Sequence, residues 1–366
     1  MDTSILALTL KVMSDAVTSH GTKRTPRDFY NHLNRFVVGQ EKAKRAVSVA
    51  AYNHSSRIQA IDGSSTSRIR KSNVLLIGPT GSGKTHLARH LASALDVPFT
   101  AVDATEFTEA GYYGRDVEQI ITELLIASDR DVARCQRGVI FIDEIDKIAR
   151  RMQTLDNGSG GRDIGGEGVQ HALLKLLEGR EVFVPNHVKS GWDKDDFTVV
   201  DTSNILFICA GTFGRLSGHD RQRTLGFDAA TRESASNELR ISHRDLNRFG
   251  MVEEFLGRLP VVVELEPLTD AEMVEILTKT PDSVVGEYQE RLAQDHVSVA
   301  FNDDAFGPIV QYAQNQGLGA RGLRSAVEEV MEDLLFDAPE LGEHSLTIDR
   351  EFVIARLKDH VHTSHL

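Results

Sequence analysis

The segment from Gly78 to Thr85 constrains the fold of this chain more than any other segment. It reads GPTGSGKT and matches the pattern G-x-x-x-x-G-K-[ST] at every fixed position. A continuous apolar run, Val74–Ile77, precedes it, and apolar residues at helical spacing follow it. A strand, a glycine-rich loop and a helix in this order form a P-loop, whose backbone N–H groups surround phosphates. The motif therefore predicts a nucleotide-binding α/β domain.

Four short apolar runs predict the strands of one parallel sheet. They are continuous rather than alternating, which is typical of strands that are covered on both faces. Helical patterns separate them, so we expect a doubly wound α/β domain with a parallel sheet. The four runs are Val74–Ile77, Val97–Val102, Val139–Ile142 and Ile205–Cys209.

The pattern becomes mainly helical from about Leu265 onward, which indicates a smaller α+β domain at the C-terminus. Thr269-x-x-Glu272 is a capping box that should begin one helix, and a second amphipathic helix should begin near Gly319. Short strands are expected at Val297–Phe301 and Ser345–Ile348. We expect three parts in the chain, namely an N-terminal arm (residues 1–24), a large domain (25–263) and a small domain (264–366).

Composition excludes several classes of function. The 366 residues include 41 Lys and Arg against 54 Asp and Glu, which gives a formal net charge of −13. Broad duplex binding depends on neutralising phosphates, so we expect no nucleic-acid partner. Two cysteines cannot build a four-cysteine zinc site or a disulfide scaffold, and they fit a reducing, cytoplasmic location. The cysteine count therefore leads us to expect no bound zinc. No apolar stretch approaches membrane-spanning length, so we expect no membrane association.

Two carboxylates follow the third predicted strand. Asp143 and Glu144 should emerge at the carboxyl edge of the sheet, where ligands bind in open α/β folds. We expect Asp143 to hold Mg²⁺ through water and Glu144 to activate the attacking water. In the P-loop, Lys84 should reach the β and γ phosphates, and Thr85 should hold Mg²⁺. Together the two motifs predict hydrolysis of ATP or GTP.

The chain resembles the ClpX family of AAA+ protein unfoldases, which feed the ClpP peptidase. The resemblance rests on the P-loop, on DEIDK at Asp143–Lys147, on GYYG at Gly111–Gly114 and on GRLP at Gly257–Pro260. It extends from about Thr25 to about Asp349. It implies a homo-hexameric ring that uses ATP and Mg²⁺ to unfold tagged or unfolded protein substrates. It also implies that the ring threads them into a ClpP-type peptidase.

The resemblance implies roles for individual residues of the nucleotide site. Val37 and Val38 match the segment that lines the adenine pocket. Arg258 matches an arginine finger that reaches the nucleotide of the neighbouring subunit, and Arg321 matches a sensor arginine of the small domain. A finger supplied in trans contributes about 10³–10⁵ in rate, so activity should depend on the ring. The P-loop residues expected at the nucleotide are Gly78, Pro79, Thr80, Gly81, Ser82, Gly83, Lys84, Thr85 and His86.

Three further loops match contacts with substrate and peptidase in the family. Tyr112 should be the gripping aromatic of the axial pore loop, with Tyr113 beside it in place of a small aliphatic residue. Arg162 belongs to the segment that matches the second pore loop. The tripeptide that should dock into the peptidase consists of Leu225, Gly226 and Phe227.

Besides Tyr113, the sequence departs from the family pattern at its start, in one loop and at the end of the fourth predicted strand, where Thr212 could serve as a polar sensor. Family members normally begin with a four-cysteine zinc-binding domain, and we expect this chain to lack it. A loop near Pro185–Asp196 that is basic in the family carries the acidic sequence DKDD at Asp193–Asp196. An acidic loop repels the carboxylate end of a degradation tag, which leaves the tag specificity open.

Three alternatives to this interpretation stay open. An HslU-like unfoldase shares the P-loop and the GYxG loop, but the segment from Glu144 to Ile205 leaves little room for its inserted domain. A nucleic-acid-remodelling AAA+ ATPase is disfavoured by the acidic composition, and stimulation of the ATPase by DNA would reveal it. A scaffold without productive translocation would also retain Lys84, Glu144 and Arg258, since these residues indicate only competence for hydrolysis.

Overall fold

The parallel sheet expected around the P-loop is present in the computed structural model of this chain. The structure describes residues 24–62, 70–108, 115–150, 166–185, 197–216 and 241–363. Within these ranges the strands are β1 (Val74–Ile77), β2 (Phe99–Asp103), β3 (Val139–Asp143), β4 (Glu181–Pro185), β5 (Phe197–Asp201), β6 (Leu206–Gly211), β7 (Val261–Glu264), β8 (Val297–Phe301) and β9 (His344–Ile348). The helices are α1 (Pro26–Phe36), α2 (Glu41–Asp62), α3 (Lys84–Leu95), α4 (Gln119–Ala127), α5 (Val132–Cys135), α6 (Gly166–Glu178), α7 (His243–Phe249), α8 (Glu253–Gly257), α9 (Asp270–Thr278), α10 (Val284–Gln294), α11 (Phe306–Asn315), α12 (Ala320–Leu341) and α13 (Arg350–Thr363).

The central sheet has the strand order β2-β3-β6-β1-β7, and its neighbouring strands are parallel. Val74 of β1 is in register with Ile208 of β6 and with Val261 of β7, so β1 lies inside the sheet. Parallel neighbours require crossover connections, which the intervening helices supply. The P-loop after β1 and Asp143 at the end of β3 therefore emerge at the same edge. The predicted α/β fold class is confirmed.

Both faces of the sheet are covered by apolar layers. In β1, Leu75 and Ile77 belong to one buried cluster, whereas Val74 and Leu76 belong to another. Successive side chains of a strand point to opposite faces, so this strand separates two cores. Helices α4 and α6 contribute to the first cluster, and α1 to α3 contribute to the second. Burial on both faces explains why the predicted strands are continuous apolar runs.

The sequence prediction omits two β elements. Strand β7 lies at the edge of the sheet and offers a run of only three apolar residues, Val261–Val263, which is shorter than the runs of the predicted strands. Strands β4 and β5 form an antiparallel hairpin that buries Val182 and Val184 but exposes Phe183 and Phe197. Alternation of this kind is typical of a strand with one solvated face. The predicted strands were identified from continuous apolar runs, so this hairpin was not among them.

The C-terminal part of the chain builds a core of its own. Helices α9 to α13 and the parallel pair β8–β9 contribute to a buried cluster within residues 273–357. The Thr269 hydroxyl accepts a hydrogen bond from the Glu272 N–H, and the Glu272 carboxylate accepts one from the Thr269 N–H. The predicted capping box is thus confirmed. The helix predicted near Gly319 begins at Ala320, which confirms that prediction too.

The expected division of the chain at residues 24 and 263 stays a prediction. It agrees with the separate core formed by residues 273–357, since a domain has a hydrophobic core of its own. In the described ranges, none of the helices combines the length and the apolar character needed to cross a bilayer. This finding concerns the described helices and leaves the location of the protein as an expectation from the sequence.

Acidification should weaken the large domain through His54. This residue of α2 is 5% exposed, and its Nε2 lies 3.3 Å from the Arg137 carbonyl oxygen. Burial lowers the pKa of His54 to about 4. The unfolded chain, with an ordinary pKa of about 6.5, binds a proton first, so stability falls as the pH falls from 6.5 toward 4. At pH 5 the expected loss from this residue is about 2 kcal/mol relative to pH 7.

The measurement is denaturant unfolding of the chain and of His54→Gln between pH 7 and pH 5. Glutamine keeps a donor for the Arg137 carbonyl and does not titrate, so the variant should lose less stability on acidification. An equal loss in both proteins would show that His54 does not contribute to the pH dependence.

Candidate nucleotide-hydrolysis site

The P-loop is built from backbone positions that favour glycine. Gly81 and Gly83 have φ values of +74° and +93°, in the left-handed region that other residues rarely adopt. Helix α3 begins immediately afterwards at Lys84, so its free N–H groups point toward the loop. Among the described residues, a Cβ at Gly83 would meet no atom within 4 Å, and the buried Ser82 hydroxyl has no hydrogen-bond partner. An open cradle beside an unsatisfied hydroxyl fits a bound phosphate group.

Lys84 is buried beneath the loop that carries it. Its side chain is 7% exposed, and its Nζ donates to the carbonyl oxygens of Gly78 at 2.8 Å and Pro79 at 2.9 Å. Burial lowers the pKa of Lys84, and the nearby Asp143 carboxylate opposes this shift. The ammonium group is therefore held by carbonyl dipoles at the place where phosphates would replace them. This agrees with the role predicted for Lys84.

The two predicted Mg²⁺ ligands lie side by side. The Thr85 Oγ1 donates to Asp143 Oδ2 at 3.4 Å, which joins the start of α3 to the end of β3. A hydroxyl and a carboxylate are the oxygen ligands that Mg²⁺ prefers, so both residues fit that ion. Glu144 follows in a left-handed conformation with φ of +54°, and its N–H donates to Asp143 Oδ1 at 2.9 Å. This unusual conformation leaves the Glu144 residue exposed at the site.

Sequence reasoning assigned no role to a third carboxylate on the same segment. Asp146 is buried, and it accepts hydrogen bonds from the Thr212 N–H at 3.2 Å and from the Thr212 hydroxyl at 2.9 Å. Thr212 follows β6, so this pair ties the ends of β3 and β6 together. The DEID run contains Asp146, but the run alone does not say which carboxylate faces the next strand.

The small domain reaches the same carboxyl edge through the first turn of α12. The Ala320 N–H donates to the Gly81 carbonyl oxygen at 3.2 Å. A Cβ at Gly81 would collide with the Leu318 carbonyl oxygen, so only glycine permits this approach. Arg321 is 65% exposed, and its Nη2 lies 3.8 Å from Asp143 Oδ2. The structure thus brings Arg321 to the predicted site.

The segment expected to line the adenine pocket borders the start of α3. Val37 is buried and Val38 is half-buried. The carbonyl oxygen of Phe36 lies 3.2 Å from His86 Nε2, which places the predicted residues 37, 38 and 86 in one region. Gln40 then exchanges two hydrogen bonds with the backbone of Glu266, at 2.8 Å and 3.0 Å. This pair ties the segment to the connection between the domains, and sequence reasoning missed it.

Arg258 occupies a different end of the sheet. Its guanidinium is 51% exposed and pairs with Glu178 of α6 at 2.6 Å. Its carbonyl oxygen accepts from Asn73, the residue just before β1, whereas the P-loop begins just after β1. From Asn73 to Gly78 the strand covers about 16 Å at roughly 3.3 Å per residue. The structure therefore does not bring Arg258 to the P-loop of its own chain.

Six predicted site residues lie outside the described residues, so the structure does not test their predicted positions. The acidic segment Asp193–Asp196 also lies outside the described residues. Their roles in contacting substrate and peptidase stay predictions from the sequence. The six are Tyr112, Tyr113, Arg162, Leu225, Gly226 and Phe227.

Comparisons with known proteins agree with this geometry. Residues 69–262 match the AAA domain (Cdc48 subfamily), and residues 268–350 match the C-terminal D2-small domain of ClpB protein. The chain is 42% identical to the ATP-dependent Clp protease ATP-binding subunit ClpX 2 of Wolinella succinogenes, over 92% of this chain and 83% of that protein. It is 43% identical to the ClpX subunit of Porphyromonas gingivalis over 91% and 82%, and 41% identical to that of Treponema denticola over 92% and 83%.

Replacing Gly81 by alanine should separate the small domain from the P-loop. Both Gly81→Ala and Gly83→Ala introduce strain at positive φ, but only the first creates a collision with the 318–320 backbone. We expect Gly81→Ala to cost at least about 1 kcal/mol more than Gly83→Ala, because overpacking adds to backbone strain. Thermal unfolding without nucleotide measures the difference. Equal losses in the two variants would contradict the contact between Gly81 and α12.

Proposed function

This chain belongs to the ClpX family of AAA+ ATPases, and from that premise we propose that it unfolds proteins in an ATP-driven homo-hexameric ring. The ring threads the unfolded chains into a ClpP-type peptidase. The protein is an ATPase that uses a nucleotide and Mg²⁺. The ring, the peptidase and the protein substrates are the parts of the function that need experiments.

The observation that carries the proposal is the separation between Arg258 and the P-loop of its own chain. Phosphoryl transfer needs positive charge at the γ-phosphate, and Arg258 is about a strand length away from it. The guanidinium is exposed and held by Glu178 alone among its described contacts. An exposed arginine on one face and an open nucleotide site on another suit a head-to-tail interface, which closes into a ring.

The described residues can be assigned complementary roles in hydrolysis. ATP and Mg²⁺, when bound, supply the phosphoanhydride bond and the charge that neutralises its phosphates. Lys84 exchanges its carbonyl partners for phosphate oxygens, and Thr85 and Asp143 hold the metal ion. Glu144 orients the attacking water and accepts its proton. Arg258 of a neighbouring subunit adds positive charge at the γ-phosphate, which lowers the activation barrier by roughly 4–7 kcal/mol.

The contact between the P-loop and α12 converts this chemistry into motion. Arg321 and Ala320 lie on one turn of the small domain, and they meet Asp143 and Gly81 of the large domain. Hydrolysis of the bound nucleotide would therefore change the contacts that fix the angle between the domains. We propose that this rotation moves the Tyr112 loops, which pull substrate through the pore. Target domains are stable by only about 5–15 kcal/mol, so repeated pulls can capture local unfolding.

A mixture of two inactive variants tests the ring and the finger together. Glu144→Gln should bind ATP without turnover, and Arg258→Ala should lose turnover because its neighbours receive no finger. When the two are co-expressed in equal amounts, about a quarter of the interfaces join an intact Glu144 site to an intact finger. We expect ATPase activity to return to roughly that fraction of the wild type.

The matched control is a mixture of Glu144→Gln with Lys84→Ala, in which every interface lacks a working P-loop or a working base. This mixture should stay inactive. If the mixture with Arg258→Ala is as inactive as its two components, the finger is not supplied in trans and the proposed ring mechanism is wrong.

Degradation of a folded fluorescent reporter with a ClpX-type C-terminal tag tests the unfolding activity. With ATP and a ClpP-type peptidase, fluorescence should fall for the wild type and for Tyr112→Phe, but not for Tyr112→Ala, whose ATPase should persist. Deleting residues 225–227 should preserve unfolding and abolish degradation. Unchanged unfolding by Tyr112→Ala would remove the pore-loop assignment.

The alternative functions give different results in the same assays. ATPase stimulation by DNA, without reporter unfolding, would favour a nucleic-acid-remodelling motor. Degradation with an HslV-type peptidase but not with a ClpP-type peptidase would favour an HslU-like unfoldase. ATPase activity without unfolding of the tagged reporter would indicate that the acidic Asp193–Asp196 loop excludes this tag. Reporters with basic termini would then be tested.

A further inference from the structure

Three potential metal ligands converge beside the nucleotide site, at the contact between the two domains. His86 and His90 lie on α3, and Asp282 lies in the turn between α9 and α10. Asp282 Oδ2 is 3.7 Å from His86 Nε2 and 3.5 Å from His90 Nε2, and one ligand atom from each residue lies within 4.8 Å of the others. The cluster therefore joins the helix that begins at the P-loop to the small domain.

The local sequence accounts for this convergence. A spacing of four residues places His86 and His90 on the same face of α3, one turn apart. Their rings meet edge to face with centroids 4.3 Å apart. The Phe36 ring stacks on His90 at 4.1 Å with an interplanar angle of 14°, which fixes the orientation of that imidazole. Pro281 lies in the turn after α9, and the next residue, Asp282, contacts both rings.

We propose that His86, His90 and Asp282 bind a divalent transition-metal ion, with Zn²⁺ as the best fit, and that this ion clamps the large domain to the small domain. Zn²⁺ binds His nitrogen and Asp oxygen at about 2.0–2.1 Å in a tetrahedral arrangement. The edges of such a tetrahedron are about 3.3 Å long. The two separations from Asp282 exceed this length by only a few tenths of an ångström. The ligand atoms of His86 and His90 lie within 4.8 Å of each other, so side-chain rotation that brings the two rings closer completes the site.

The ligand chemistry distinguishes this site from the Mg²⁺ site. Two imidazoles and one carboxylate suit Zn²⁺, whereas Mg²⁺ prefers oxygen ligands and octahedral geometry. Burial and the neighbouring His86 lower the pKa of His90 to about 4, while Asp282 opposes the shift, so a ring nitrogen is free to bind metal at pH 7. A metal ion at His86 Nε2 would replace the hydrogen bond from this nitrogen to the Phe36 carbonyl oxygen, with the ring proton carried on Nδ1 instead. A water molecule would complete the fourth position.

This inference goes beyond the proposed unfolding function and does not depend on it. The sequence expectation of no zinc considered cysteine ligands, and the spacing of His86 and His90 is a signal that it did not weigh. Asp282 could not be paired with them without the fold. Since α3 begins with Lys84 and Thr85, the metal and the nucleotide act on the same helix. Any effect of nucleotide on metal affinity must be matched by an equal effect of metal on nucleotide affinity.

Metal titration of the full chain without a polyhistidine tag and without nucleotide tests the site. Zn²⁺ is followed by calorimetry, and Co²⁺ is followed by the visible absorption of its tetrahedral complexes. We expect one ion per chain, with affinity reduced at least about tenfold in His90→Ala and in Asp282→Asn. His344→Ala and Asp303→Asn alter exposed residues of the small domain and should bind like the wild type.

Either of two results would overturn the site. One is a wild-type chain that binds no ion at micromolar free Zn²⁺. The other is equal binding by His90→Ala and the wild type. Asp282→Asn preserves the side-chain shape, so its folding should persist, and circular dichroism confirms it before the titration. Loss of binding in this variant cannot then be assigned to unfolding.

Hydrogen exchange tests whether the bound ion joins the domains. Zn²⁺ should slow amide exchange both in α3 and in residues 280–284 of the wild type, because each side is held by the same ion. In Asp282→Asn, Zn²⁺ should slow amide exchange in both segments less than it does in the wild type. Protection of α3 alone in the wild type would show that the histidines bind metal without clamping the small domain, and it would contradict the proposal.

Discussion

The backbone contact between the P-loop and the first turn of α12 is the interaction on which the coupling of the two domains depends. The Ala320 N–H donates to the Gly81 carbonyl oxygen, and Arg321 extends from the same turn toward Asp143. Lys84 meanwhile holds two carbonyl oxygens of the loop from below. In the proposed mechanism, a phosphate that draws Lys84 away changes the same loop to which the first turn of α12 is bonded. This contact is the route by which we propose that the nucleotide state sets the angle between the domains.

In the proposed mechanism, the site formed by a single chain lacks one component. Four residues of the large domain would supply phosphate binding, metal binding and the base, and the small domain would add Arg321. Arg258 lies near the opposite end of β1, where Glu178 neutralises it. Assembly into a ring would bring this arginine to a neighbouring nucleotide, and the ion pair with Glu178 would then have to open. In the proposed mechanism, hydrolysis is therefore a property of the interface between subunits rather than of the isolated chain.

Much of the fold and part of the site could be predicted because the signals are local. The P-loop pattern, the strand before Asp143 and the capping box at Thr269 each lie within a few residues, and each is confirmed. The β4–β5 hairpin was missed since alternating strands resemble loops when only continuous apolar runs are sought. The pairing of Asp282 with the α3 histidines was missed for a different reason. It joins positions almost 200 residues apart, and only packing between domains brings them together.

The most direct measurement is the distance between two spin labels, at Ala127→Cys in α4 and Asp337→Cys in α12, with and without a non-hydrolysable ATP analogue. Burial raises the pKa of Cys135 to about 11 and of Cys209 to about 12, so the natural thiols should not react with the label. We expect the analogue to shift the distance distribution, and Lys84→Ala to abolish the shift. An unchanged distribution in a chain that demonstrably binds the analogue would contradict the coupling of nucleotide to domain angle.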